Sequence, residues 1–174
     1  VPPAPEQLEQ LALELATGAA AVVRAARGAA MDVSVKSTQT DLVTAADRAS
    51  ERWLRAQQGL RRPDDAVLGE EAGAEAGTSG VRWVLDPIDG TVNFVLGLPQ
   101  YAVSVAAEVD GRTVAGAVCN PASGELFHAH LGGGAYLGNV RLFGPRTIDL
   151  SRAVVGTGFA YAATTRAWQA AVVA

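Results

Sequence analysis

Val81-Arg82-Trp83-Val84-Leu85-Asp86-Pro87-Ile88-Asp89-Gly90-Thr91 joins an apolar run to a turn that carries two acids. Its apolar run, Val81 to Leu85, follows a glycine-rich segment and reads as a strand with Asp86 at its carboxyl end. Ligand sites of open α/β sheets favour that end. Pro87 fixes its own φ and biases Asp86 toward an extended backbone, so a sharp exit from the strand is expected there. Asp89 then folds back toward Asp86, and the Ile88 carbonyl, in a turned backbone, is released from the ladder. Two carboxylates and a carbonyl converge.

Fifteen residues before Asp86 lies the pair Glu70-Glu71, at the end of a short apolar strand Ala66 to Gly69. Glu70 directly follows Gly69 and is the better ligand candidate, whereas Glu71 opens the loop Ala72 to Gly80 and reads as solvated. Oxygen-only ligation suits Mg²⁺ or Mn²⁺, and with one Cys, and with His128 and His130 in a different segment, zinc is disfavoured. Gly90 lacks a Cβ and lets a phosphate approach the backbone, and Thr91 to Phe94 opens a short helix whose free N–H groups face an anion. Thr91 adds a hydroxyl for positioning water. An isolated Asp-Gly-Thr would be a turn with a helix cap, but that does not explain the second group of acids. The combination is that of a magnesium-dependent phosphatase. Upstream, Thr44-Ala45-Ala46-Asp47 has capping-box spacing for a helix running to Gln58, with Ala49, Trp53 and Ala56 recurring helically.

Three blocks carry a family resemblance: Lys36-Ser37 through Asp41-Leu42-Val43-Thr44-Ala45-Ala46-Asp47, then Gly69-Glu70-Glu71, then Trp83 to Thr91 with Asn93-Phe94. In this order and spacing the chain resembles the inositol monophosphatase family of lithium-sensitive, metal-dependent sugar phosphatases. The resemblance implies an α+β chain of the layered αβαβα fold. It further implies that Glu70, Asp86 and the Ile88 carbonyl hold a first Mg²⁺, that Asp86 and Asp89 share a second, and that Glu70 and Thr91, with Asp47 behind Thr91, position the attacking water. Ile88, Asp89, Gly90 and Thr91 would bind the phosphate, with Asp89 also near a substrate hydroxyl. Lys36 is the sole lysine among 14 basic residues. A compact ammonium rather than a forked guanidinium is wanted there, and the resemblance places it on a loop, Met31 to Asp41, beside the metal site.

Inositol 1-phosphate heads the substrates so implied, with histidinol phosphate and fructose 1,6-bisphosphate as alternatives, together with a homodimer and inhibition by Li⁺. A catalytically weak regulatory or interaction protein is the reading of another class. The family's later Trp-Asp motif, whose aspartate completes the second metal site, does not occur in these 174 residues. The chain is therefore expected to form one domain, residues 1–174, matching the N-terminal portion of the family fold without its C-terminal part. Gly138-Asn139 also departs from the family's usual Asn-Gly order.

Composition bounds the rest. The 174 residues, 49% hydrophobic and 18% charged, suit one sizeable core. A net charge of −4, with no basic run, argues against direct nucleic-acid binding. A single cysteine, Cys119, excludes an internal disulfide, and no apolar run of about 18 residues or secretory leader is evident. A cytoplasmic protein is expected. Glu6 to Arg27 carries Leu8, Leu11, Leu15, Ala19, Val22 and Ala26 on one helical stripe, and this helix and the next should cover one face of a sheet. Ala102–Val109, Arg112–Cys119 and Glu125–Ala129 read as an antiparallel meander, and Leu131–Gly134 as turn. Ile148–Leu150 and Val154–Gly156 are short strand candidates, and Ala163–Ala174 a helix. His128 and His130 alternate onto one face without a third ligand, as satisfied or exposed side chains.

Overall fold

The computed structural model describes residues 3–27, 33–35, 42–144, 149–154, 156–160 and 162–173. Lys36 and most of its loop lie outside the described residues, as does Ile148. Helix α1 spans Pro5–Ala26, with Pro at its first position, where its missing N–H costs nothing. A two-stranded antiparallel ladder follows, β1 (Val33–Val35) and β2 (Leu42–Thr44). Next come α2 (Ala45–Arg61), β3 (Ala66–Gly69), β4 (Gly73–Glu75), β5 (Val81–Asp89) and the short α3 (Thr91–Leu96). The chain then builds β6 (Ala102–Val109), β7 (Arg112–Cys119), β8 (Leu126–His130), β9 (Gly134–Leu137) and β10 (Val140–Leu142), and ends in a 3₁₀ turn, Leu150–Arg152, and α4 (Ala163–Val173).

Eight strands form one sheet in the order β10-β9-β8-β7-β6-β5-β3-β4. Every pairing in it is antiparallel except β3 with β5. Helices α1 and α2 pack together on one face, α1 over β6 to β8 and α2 over β5, as the sequence predicts. Alternation along β6 and β7 sends Val103, Val105, Ala107, Ala115, Ala117 and Cys119 into that core. The opposite face carries an apolar concavity of about 480 Å³, in which Val118, Phe127, Leu131 and Leu142 are exposed.

Two helical stripes differ from expectation. In α1 the buried line runs Leu8, Leu15, Ala19 and Val23 rather than through Val22, because Ala12, Ala16 and Ala20 are buried too and centre the buried face on their side, which leaves Val22 at its edge. In α2 the difference is larger. Ala49 and Trp53 are only partly buried and Ala56 is exposed, whereas the buried face is Ala46, Asp47, Ser50, Glu51, Leu54 and Gln58. That face is mostly polar, which apolar periodicity cannot register.

The meander stands as predicted, and Leu131 to Gly133 is turn, but five short strands are not anticipated by the sequence. For β4, Gly-Ala-Glu has weak strand propensity; β9 is short and partly exposed, and all three residues of β10 are exposed. The other two are β1, which lies within the stretch Met31 to Asp41 expected as a loop, and β2; their pairing is too short to show a period. Strand candidates around Leu150 and Val154 are not realised: Leu150–Arg152 is 3₁₀ and residues 153–154 and 156 carry no strand.

The two histidines of β8 pin α1 to the sheet. Both oxygens of Glu9 are engaged, Oε1 with His128 Nδ1 at 2.7 Å and Oε2 with His130 Nδ1 at 2.6 Å. His128 Nε2 also lies 2.9 Å from the Gly138 carbonyl, and its ring stacks on Tyr136. Since a carbonyl and a carboxylate both accept, the ring serves both partners only when doubly protonated. Burial opposes that charge, but the hydrogen bonds to Glu9 and Gly138 and the charge of Glu9 outweigh it and raise the His128 pKa above the ordinary 6.5. Glu9 is correspondingly held below 4.5, burial being outweighed by the two imidazoles. The His128 contribution is complete below pH 6.5 and lost as pH rises through its raised value; that of Glu9 is complete above pH 4.5 and lost as pH falls through its lowered value. Unfolding by denaturant across this range should therefore show maximal clamp stability between those limits, and His128→Gln should flatten the alkaline decline; an unchanged pH profile in the variant would remove the clamp from the account.

Candidate active site

The parallel pairing of β3 with β5 sets Gly69 opposite Leu85. The next residue on each strand is an acid, Glu70 and Asp86, and both leave the ladder at the same end. The Glu70 amide donates to the Leu85 carbonyl at 3.2 Å, fixing the turn. An antiparallel pairing would have sent the acids to opposite ends.

β5 does not end at Asp86 as its apolar run suggests. It continues to Asp89, paired with β6 at Asp86↔Ser104 and Asp89↔Ala102, so one extra residue lies on β5 between these points. Pro87 occupies this bulge, where a missing donor is tolerated. Residues three apart point to opposite faces of an unbroken pleat; the inserted residue resets the alternation, and the charge of Asp89 reaches Asp86. Ile88 buries its side chain at 1% exposure, while its carbonyl turns to accept from the Thr91 hydroxyl at 3.0 Å.

Asp86 is the electrostatic centre. Burial, the charge of Glu70, a hydrogen bond with Glu70 and the charge of Asp89 together raise its pKa from 3.8 to about 8. Its Oδ1 is buried without a hydrogen-bond partner. Glu70 and Asp89 are exposed beside it. Among the described residues no three acid, His or Cys side chains are already closed into a metal cage. The fit of a hard cation rests instead on the orphaned Asp86 oxygen, the crowding of like charge around it and the all-oxygen donor set, which suits Mg²⁺.

Asp47 takes both parts open to it. Its Oδ2 accepts from the Thr44 amide at 2.8 Å and the Thr44 hydroxyl at 2.5 Å, closing a capping box for α2. Its Oδ1 faces the Thr91 hydroxyl at 3.2 Å. The single Thr91 proton is thus shared between Asp47 and the Ile88 carbonyl.

The backbone itself requires a glycine at position 90. Its φ is +85°, and a Cβ there would lie 2.9 Å from the Gln100 carbonyl. Beside it a cleft of about 360 Å³ is lined by Asp89, Gly90, Asn93, Gln100 and Tyr101 among others. It lies next to the acids, unlike the apolar concavity on the sheet face.

Glu71 differs from the solvated residue expected: it is half-buried, and its amide donates to Glu51 Oε2 at 2.7 Å. The residues that sequence reading missed are on α2: Ser50, whose hydroxyl donates to the Pro87 carbonyl at 3.2 Å, and Glu51, paired with Arg55 at 2.8 Å. Their one sequence signal is the Glu51–Arg55 spacing of an i,i+4 ion pair.

A profile of the inositol monophosphatase family matches residues 4–173. The chain belongs to this family. It is 48% identical over 191 residues to the inositol-1-monophosphatase of Mycobacterium leprae, covering 98% of this chain and 65% of that relative. It is 42% identical over 135 residues to the Nus factor SuhB of Pasteurella multocida, covering 77% of this chain and 50% of the relative. Mycobacterium tuberculosis SuhB has the same fold, with a TM-score of 0.80 and 42% identity over 97% of this chain and 64% of that one. The chain therefore spans about two-thirds of the length of its mycobacterial relatives.

Without metal, folded Asp86 keeps its proton up to about pH 8, while the unfolded residue releases it near 3.8. The folded state binds the extra proton, so stability from this group is complete below 3.8 and lost as pH rises through about 8, by at most about 1.4 kcal/mol per pH unit. In chelator, Asp86→Asn should abolish that decline in thermal-melting profiles between those limits. A variant that declines in parallel with the unsubstituted chain would show that the acids are not crowded as described.

Proposed function

We propose that these residues belong to a Mg²⁺-dependent phosphomonoesterase that converts inositol 1-phosphate, or a similar small polyol phosphate, and water into the alcohol and inorganic phosphate. The observation that carries this reading is the buried Asp86 oxygen without a partner, within reach of the charges of Glu70 and Asp89, two residues before the Ile88 carbonyl that accepts from the Asp47-held Thr91 hydroxyl. The charges of Glu70 and Asp89 alone would repel a phosphate ester, so the cluster suits that substrate only with cations in place.

Glu70, Asp86 and the Ile88 carbonyl would hold one Mg²⁺, and Asp86 with Asp89 would share in a second. When bound, Mg²⁺ acidifies water and stabilises charge on a departing alkoxide oxygen. The chain's own groups do the positioning. The Thr91 hydroxyl shares its proton between Asp47 and the Ile88 carbonyl and so keeps a lone pair that would accept a hydrogen bond from water. The exposed Glu70 carboxylate accepts the other, which orients the water oxygen for in-line attack on phosphorus. Gly90 and Thr91 amides, with Asp89 beside them, would take the phosphate and a substrate hydroxyl. Lys36 would contribute from its loop.

The same reading extends to a cytoplasmic homodimer inhibited by Li⁺, and it rests there on the family resemblance. No described helix is long and apolar enough to cross a membrane. A partner-binding regulatory role is the second reading, favoured by the relative named a Nus factor.

Phosphate release from inositol 1-phosphate by the full-length protein, with and without Mg²⁺, separates them. Release should require Mg²⁺, and Glu70→Gln and Thr91→Val should each lower turnover by about 10²-fold or more. Undiminished turnover in both variants would overturn the site assignment, and no release from the unsubstituted protein would favour the regulatory reading.

A further inference from the structure

The buried face of α2 presents Asp47, Ser50 and Glu51 at spacings of three and four, one turn of helix. Each grips a different part of the acidic site: Asp47 holds the Thr91 hydroxyl, Ser50 the Pro87 carbonyl, and Glu51 the turn that carries Glu70. Glu51 is the least expected of the three. It is 2% exposed, deep enough that a carboxylate persists only if its oxygens are engaged. They are fully engaged: Oε2 accepts from the Glu71 amide at 2.7 Å, and Oε1 from the Ala72 amide at 3.1 Å and Arg55 Nε at 2.8 Å. Arg55 continues the grip, donating to the Gly73 carbonyl at 2.5 Å.

Gly69 records the same constraint from the other side. A Cβ there would stand 2.0 Å from Glu51 Oε1, so the residue before Glu70 leaves room for the carboxylate.

We propose that Glu51 is a positioning residue for the cation site: by accepting from the Glu71 and Ala72 amides it sets the backbone of the turn, and hence where the Glu70 carboxylate meets Asp86. The proposal rests on the phosphatase reading for its consequence, though not for its geometry. A core side chain of equal size would fill the same volume, but it would leave two amides without acceptors and the turn free to move. Outer-shell partners of this kind alter cation affinity rather than fold alone.

The test uses the full-length protein and its Glu51→Gln, Glu51→Asp and Leu54→Ala variants. Three quantities are measured: Mn²⁺ affinity by paramagnetic resonance, hydrogen exchange at the Glu71 and Ala72 amides, and kcat and KM for inositol 1-phosphate. Gln keeps the shape but turns an amide donor toward groups that are all donors. It should weaken Mn²⁺ binding by about 10-fold or more, accelerate exchange at both amides, and lower kcat more than it changes KM. Asp keeps both acceptors and should recover part of each loss. Leu54→Ala opens a cavity on the same helix and should lower the melting temperature without weakening Mn²⁺ binding.

Equal effects of Glu51→Gln and Leu54→Ala on Mn²⁺ affinity would overturn the proposal, reducing Glu51 to a stability residue. If the Gln variant does not fold, the unsubstituted protein decides: protection of the Glu71 and Ala72 amides relative to exposed neighbouring turn amides supports the brace, and equally fast exchange overturns it. A protein that binds no Mn²⁺ and releases no phosphate would defeat the phosphatase reading, while the exchange data would still decide the brace.

Discussion

Parallel pairing of β3 with β5, in the register that sets Gly69 opposite Leu85, places two acids side by side at one edge of the core. Asp89, brought back by the bulge at Pro87, adds a third charge. Like charges at such proximity oppose folding, most strongly where one of them is withdrawn from water. The raised pKa of Asp86 is the measure of that opposition. Everything around the site can be understood as what holds this arrangement in place against its own repulsion.

Helix α2 supplies much of the restraint. A helix on a sheet ordinarily buries an apolar stripe, yet the buried face of α2 mixes Ala46 and Leu54 with Asp47, Ser50, Glu51 and Gln58. These polar groups are partnered: Gln58 donates to the Arg62 carbonyl, and Asp47, Ser50 and Glu51 reach into the loops. A buried network of this sort specifies geometry when each of its members is satisfied. At the far end of β5 the same device recurs, where Asp65 accepts from Arg62, Ser79 and the Trp83 indole and fixes the entry to the strand. The strand is thus held at both ends while its apolar side chains, Val81, Trp83 and Leu85, fill the core.

How much of this was legible depended on the kind of signal. Long apolar periods reported themselves, so α1 and the meander β6 to β8 were readable to within a residue or so. The acids were legible because Glu70, Asp86 and Asp89 sit next to breaks in apolar runs, and because their motif matches that of a family to which the chain belongs. Three things were not. The bulge at Pro87 depends on pairing with β6, a partner distant in sequence, so Asp86 looked like the end of a strand that continues to Asp89. The polar face of α2 was invisible for a different reason: burial there is conferred by the loops it grips, and apolar periodicity pointed instead to Trp53, which packs beside Gly18 of α1. Strands of only three residues, such as β4 and β10, are too short to show a period and give local sequence reading almost nothing to detect.

The central claim is that the crowded carboxylates form a cation site. Anomalous scattering from crystals of the full-length protein grown with Mn²⁺ tests it most directly. A peak within coordinating distance of Glu70, Asp86 and the Ile88 carbonyl is predicted. Well-ordered crystals with no peak there, and with Asp86 protonated or paired to another side chain instead, would contradict the account.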